Sequence, residues 1–139
     1  MTGGVSNEDD APHKAEVILP DGRSCTIPDL PSLGRFGHTQ SGLTACGGGE
    51  NGDTKTSCDS FTGGQWERSH ELHNERHEHV SWKSPHGILL IGGANKNAKR
   101  TTELLSSTDS TTTNLFNLPY STMYIDSIGW VHDLFKIHT

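Results

Sequence analysis

The amino-acid sequence predicts an all-β fold, and three observations carry that expectation. The first is Gly87-Ile88-Leu89-Leu90-Ile91-Gly92-Gly93, an uninterrupted apolar run closed by two glycines in an otherwise polar chain. A short run of branched residues stopped in this way reads as a buried strand leaving a core into a tight turn. The second is composition: 16 Gly and 6 Pro among 139 residues, with many Ser and Thr, favour short strands joined by turns over helices. The third is repetition. Gly42-Leu43-Thr44-Ala45-Cys46-Gly47-Gly48 is a weaker copy of the apolar run, and self-similarity at a fixed spacing decides a fold before any single residue does.

Length and charge narrow the classes. At 139 residues the chain is within the size of one domain. Apolar residues make up 30%, thin beside the roughly 45–50%, Gly included, of globular chains, so an incomplete domain or one with disordered ends is expected. The net charge of −6 argues against a nucleic-acid surface, which needs clustered Lys and Arg. No stretch approaches the roughly 18 apolar residues of a membrane-spanning helix.

Taken in order, residues 1–14 are acidic and polar, with Glu8-Asp9-Asp10 and no apolar period, and read as a disordered arm. They carry neither a basic start nor an apolar segment, so they do not read as a signal peptide. Val17-Ile18-Leu19, the turn Pro20-Asp21-Gly22 and Ser24-Cys25-Thr26-Ile27 form a hairpin, with Gly supplying the positive φ. Pro28 and Pro31 then break the pairing. Cys58-Asp59-Ser60-Phe61, Thr62-Gly63-Gly64 and Gln65-Trp66-Glu67-Arg68 repeat the same grammar. Gly22 and Gly63 are 41 residues apart, as are Cys25 and Trp66, and Arg35 and Arg76. The double glycines at Gly47-Gly48 and Gly92-Gly93 are 45 apart, because Trp82-Lys83-Ser84-Pro85-His86 makes a longer turn. A fainter third pass runs from Thr102-Glu103-Leu104-Leu105 to Leu115-Phe116-Asn117-Leu118, with Phe116 expected in the place of Trp66. Four short strands per unit at 40 to 50 residues is the signature of a propeller blade.

These residues also resemble a known family. Arg-x-x-His, an apolar run, Gly-Gly, a strand and then Trp is similar in order to the kelch repeat. Cys25-Thr26-Ile27-Pro28-Asp29-Leu30-Pro31, His38-Thr39-Gln40 and Ala45-Cys46-Gly47-Gly48 resemble cysteine-bearing kelch-type domains of large invertebrate proteins. The Tyr usual a few residues after the double glycine is Phe61 here. The resemblance implies a partial propeller with about two four-stranded antiparallel blades and flanking strands: the end of one blade over 15–31, blades over 32–72 and 73–119, and a divergent tail over 121–139. Two blades leave open apolar faces and strand edges, so further blades or other chains are expected to close it. The implied function is a scaffold that binds a protein or glycan partner. The alternatives are a remnant of a galactose-oxidase-type enzyme, or a truncated product without activity of its own. That enzyme's site needs a cysteine-linked tyrosine and two histidines. Tyr120 and Tyr124 come too late in the chain to place it, so no catalytic residue, cofactor or metal is assigned. The compartment stays open, since the N-terminus reads as cytosolic while the similar cysteine-bearing domains imply an extracellular setting.

Arg35, His38, Arg76, His77 and His79 form two readings. They make a polar rim that grips a partner, or they hydrogen-bond adjacent blades. Gly47, Gly48, Gly92 and Gly93 shape turns, and Trp66 and Phe116 pack between blades. The segment from His70 to His79 holds four histidines. On a helix His70, His73 and His77 would share a face, but the repeat register makes the segment a connection between strands. Gly47 to Thr54 is not a phosphate loop, because Asp53 stands where a Lys would be needed. Cys46 and Cys58 flank that turn, 12 residues apart on neighbouring strands. They are either buried thiols or, in an oxidising compartment, a disulfide. The resemblance implies that Cys25 pairs upstream of this chain.

Overall fold

The computed structural model describes residues 14–31, 35, 38–50 and 53–121. The acidic arm up to residue 13 and the tail from residue 122 lie outside them. Among the described residues there is no helix, and the chain is all-β with every strand pair antiparallel. In chain order the strands are β1 (Ala15–Ile18), β2 (Ser24–Ile27), β3 (Thr39–Ser41), β4 (Thr44–Cys46), the short β5 (Gly49–Glu50) and β6 (Asp53–Thr54), then β7 (Ser57–Thr62) and β8 (Gln65–Glu71). They continue as β9 (Val80–Ser84), β10 (Gly87–Ile91), β11 (Thr101–Ser106) and β12 (Thr112–Asn117). β1 and β2 pair as a hairpin, β3-β4-β7-β8 form a first four-stranded sheet, and β9-β10-β11-β12 form a second. The β5–β6 ladder interrupts the loop that follows Gly47-Gly48, a detail with no apolar pattern to announce it.

The three layers stack because each strand offers one face to each neighbour. In the first sheet Ala45, Trp66 and Phe61 pack on Ala15, Ile27 and Leu30 of the hairpin side. The Trp66 indole N–H donates to the Pro28 carbonyl at 2.7 Å, and its ring lies 5.5 Å from Phe61. On the opposite face, Cys46, Cys58 and Leu72 meet Ile88, Leu90 and Leu105 of the second sheet. Alternation along β10 then sends Leu89 and Ile91 the other way, into a cluster with Leu118, Val80, Trp82, Leu104 and Phe116. Each such Leu or Ile contributes roughly 1.5–3 kcal/mol on burial.

Two sequence expectations are resolved by register. Cys46 and Cys58 sit directly opposite each other on β4 and β7, with Cα atoms 4.1 Å apart, and form a disulfide. Cys25 is free and exposed. Phe116 does not take the place of Trp66. Phe61 pairs with Trp66, but its equivalent Leu105 pairs with Thr112. A register shift between Thr101 and Glu103 and the longer β11–β12 turn carry Phe116 to the far face of the second sheet, away from the first. Its role is still packing, against Leu89, Ile91 and Leu118.

Candidate functional site

The polar residues singled out in the sequence converge where β3 and β9 lie side by side, at the start of each sheet. Here two buried arginines do the same job with the same atoms. Arg35 Nη1 donates to the carbonyls of Gly47 at 3.2 Å and Ser57 at 2.8 Å. Its Nη2 reaches the Ser57 hydroxyl at 2.9 Å and the Asp59 carboxylate. Arg76 Nη1 donates to the carbonyls of Gly92 at 2.7 Å and Thr101 at 3.4 Å, and its Nη2 to Thr101 Oγ1 at 3.1 Å and Glu103 Oε1 at 2.5 Å. Gly47 N–H bonds to the Ser57 carbonyl and Gly92 N–H to the Thr101 carbonyl, each at 3.0 Å. Both locks therefore tie a double-glycine turn to the start of the third strand of the same sheet.

The turns need glycine. Gly47 has φ of +62°, and a Cβ there would collide with the Arg76 carbonyl and come within 2.9 Å of His79. A Cβ on Gly93 would lie 2.9 Å from the His77 carbonyl. These glycines let the connection from residue 72 to residue 79 run against both turns. Gly48 N–H accordingly donates to the Arg76 carbonyl at 2.8 Å, and Ala94 N–H to the His77 carbonyl at 2.9 Å.

Arg35 and Arg76 are each 0% exposed and spend their guanidinium groups on these internal acceptors. The acids opposite them were not legible as partners in the sequence, although Asp59 and Glu103 follow their double glycines at similar distances, 12 and 11 residues after Gly47 and Gly92. Glu103 is the hub of the second lock, since it also accepts from the backbone N–H groups of His73 at 2.7 Å and Asn74 at 3.1 Å. Burial pushes the Glu103 carboxyl up, but Arg76 and those two N–H groups outweigh it and hold the carboxyl below its ordinary value.

The histidines divide. His79 is 5% exposed and joins the two sheets through a 2.8 Å hydrogen bond between its Nε2 and Thr39 Oγ1. Burial holds it well below the ordinary imidazole value, helped by Arg76, His38 and His77 nearby. His77 and His38 are half-buried, with His77 Nδ1 3.4 Å from Thr54 Oγ1. His70 lies in β8 rather than in the connection between strands that the repeat register implied, and its Nε2 lies 3.0 Å from the carbonyls of both Ser106 and Asp109. Carbonyls only accept, so Nε2 carries the proton. His70 and His79 thus join the two sheets at separate points. Among the described residues no group of three or more His, Cys, Asp or Glu side chains is placed to hold a metal.

The surface feature nearest these junctions is a groove between the two sheets, with a volume of about 240 Å³. The β3–β4 and β9–β10 turns form its sides, and β8 and the end of β11 close it. Leu43, Ile88 and Leu105 supply apolar walls, Ser41 and Ser107 supply hydroxyls, and Lys83 is its charged rim. Leu43 is 48% exposed. A second hollow of about 450 Å³ lies along β12 between Asn74, Asn114, Asn117 and Phe116. Neither was visible in the sequence, because each joins residues far apart in the chain.

No helix among the described residues is long and apolar enough to cross a membrane. No protein-family model matches this chain, and no curated protein matches it.

Proposed function

We propose that this chain is a binding module of the kelch-type β-propeller class, in which stacked blades hold strand-connecting turns that receive a protein or glycan partner. The observation that carries the reading is the pair of arginine locks. Arg35 with Gly47, Ser57 and Asp59 is matched atom for atom by Arg76 with Gly92, Thr101 and Glu103. Two sheets of four antiparallel strands with matching internal locks support the reading of a repeated blade. Rigid turns at the sheet ends are then free to vary in chemistry, which is how such scaffolds acquire partners.

The test uses the whole chain, labelled through the exposed Cys25 thiol, against arrayed glycans and arrayed folded proteins. Saturable binding to a defined partner is the expected result, lost in Leu43→Glu at the turn surface and kept in Asp21→Ala on the distant β1–β2 hairpin. No saturable partner in either array overturns the reading. Copper-dependent oxidation of a primary alcohol by the chain would also overturn it, in favour of a galactose-oxidase-type origin.

A further inference from the structure

We propose that the groove between the β3–β4 and β9–β10 turns is a site for a small hydroxylated carboxylate, with a uronic acid ring near the size limit. The inference rests on the glycan side of the reading above and names its ligand chemistry.

Charge is the first argument. The chain carries a net charge of −6, yet no carboxylate lines this groove; of its two basic lining residues, His70 spends its Nε2 on the Ser106 and Asp109 carbonyls, which leaves the Lys83 ammonium to meet an acid. Lys83 is exposed on β9, where a compact ammonium can meet an arriving anion without being desolvated first. A single cation suits a single negative charge. Phosphate sites instead often use Arg forks, and no Arg lines this groove.

Size and lining give the second argument. About 240 Å³ lies just below the roughly 300 Å³ at which pockets begin to take drug-sized ligands, so one ring or a short acid fits and a disaccharide would protrude. Thr44 and Ser84 use their hydroxyls locally, with Ser60 at 2.7 Å and with the Gly87 carbonyl at 3.1 Å. Ser41 and Ser107 make no side-chain hydrogen bond among the described residues and line the groove, leaving two hydroxyls to donate to or accept from ligand hydroxyls. Leu43 and Ile88 offer apolar surface to the carbon face of a ring. The groove is also preformed. Ser84 and Gly87 shape one turn, and Gly87 cannot carry a side chain there, because its φ is +143° and a Cβ would strike the Leu105 carbonyl.

The test is an NMR titration of the ¹⁵N-labelled whole chain with glucuronate, gluconate, a glucuronate-terminated oligosaccharide and glucose. Glucuronate is expected to give saturable shifts centred on Lys83, Ser84, Gly87 and Ser107. Glucose should bind at least several-fold more weakly. Lys83→Gln should weaken glucuronate by up to about five-fold, the range of an exposed ion pair, and leave glucose unchanged. Leu43→Glu, a second exposed position, should abolish the acidic ligands. An oligosaccharide that binds as well as free glucuronate assigns the groove to a glycan terminus; binding of gluconate and glucuronate alone assigns it to a free acid, and either supports the inference. Equal binding of glucose and glucuronate, shifts elsewhere, or no saturation would overturn it. A neutral glycan or a protein captured in the array experiment, with no acid bound here, would sink this inference and leave the scaffold reading standing.

Discussion

Removing the Arg76 side chain isolates what one arginine lock contributes. In Arg76→Met four acceptors each lose a donor: the carbonyls of Gly92 and Thr101, Thr101 Oγ1 and Glu103 Oε1. Glu103 is 0% exposed and keeps mainly the backbone N–H groups of His73 and Asn74, so a charge remains buried without its counter-ion. Breaking such a pair costs about 3–5 kcal/mol, a large share of the roughly 5–15 kcal/mol that stabilises a domain. Glu103→Gln is milder, about 1–3 kcal/mol, because the Gln oxygen can keep the Oε1 partners, Arg76 and the Asn74 N–H, and only the His73 N–H, which used Oε2, loses its acceptor. The double variant should therefore lose less than the two single losses combined, with a coupling of about 1–3 kcal/mol. Arg35→Met makes an internal comparison. Asp59 retains the half-exposed Arg68 guanidinium at 2.9 Å, whereas Glu103 keeps only the longer contact of the His73 imidazole at 3.4 Å, so this loss should be smaller than that of Arg76→Met. Urea unfolding at 25 °C, followed by tryptophan fluorescence, gives all four values. A loss below about 1 kcal/mol for Arg76→Met, strict additivity with Glu103→Gln, or Arg35→Met as the costlier change would refute the lock as the unit of stability.

Two further outcomes follow from the same junction. Gly47 and Gly63 share φ of +62°, but a Cβ meets the Arg76 carbonyl and His79 at the first and nothing within 4 Å at the second. Gly63→Ala should cost about 1–2 kcal/mol from the left-handed backbone alone. Gly47→Ala should cost clearly more, and equal melting shifts would show that the turn yields without penalty. His79 makes stability fall on the acid side. Its folded-state pKa is lowered, so folding binds it as neutral imidazole. Its contribution is intact above the unfolded value of about 6.5 and is lost at about 1.4 kcal/mol per pH unit as pH falls below that. Glu103, also lowered, loses its contribution only below about pH 4.3, so the two windows separate. Urea midpoints between pH 7.5 and 5 should drop in the wild type and drop less in His79→Gln; parallel curves would exclude His79 as the titrating group.

Much of the local architecture was legible in the sequence. The apolar run from Gly87 to Ile91 is β10, and its weaker copy contains β4, because alternation of faces and glycine-closed turns are decided by residues within a few positions of one another. Cys46 and Cys58 were placed on neighbouring strands by the same logic. The β5–β6 ladder escaped notice, and so did the extension of β8 through His70 to Glu71, since polar residues in an extended segment leave no period to read.

What the chain determined by itself is therefore the all-β class, the strand-and-turn grammar and the positions of the double glycines, all set by local backbone preference and side-chain pattern. Only the tertiary structure decided which acids face Arg35 and Arg76, on which side Phe116 packs, and that Lys83 and Ser107 share a groove with Ser41. The physical reason is register. A one-residue shift between Thr101 and Glu103 reverses the faces that follow, and the meeting of turns from two sheets depends on how the layers stack. Neither quantity is stored in a stretch short enough for sequence pattern to reveal.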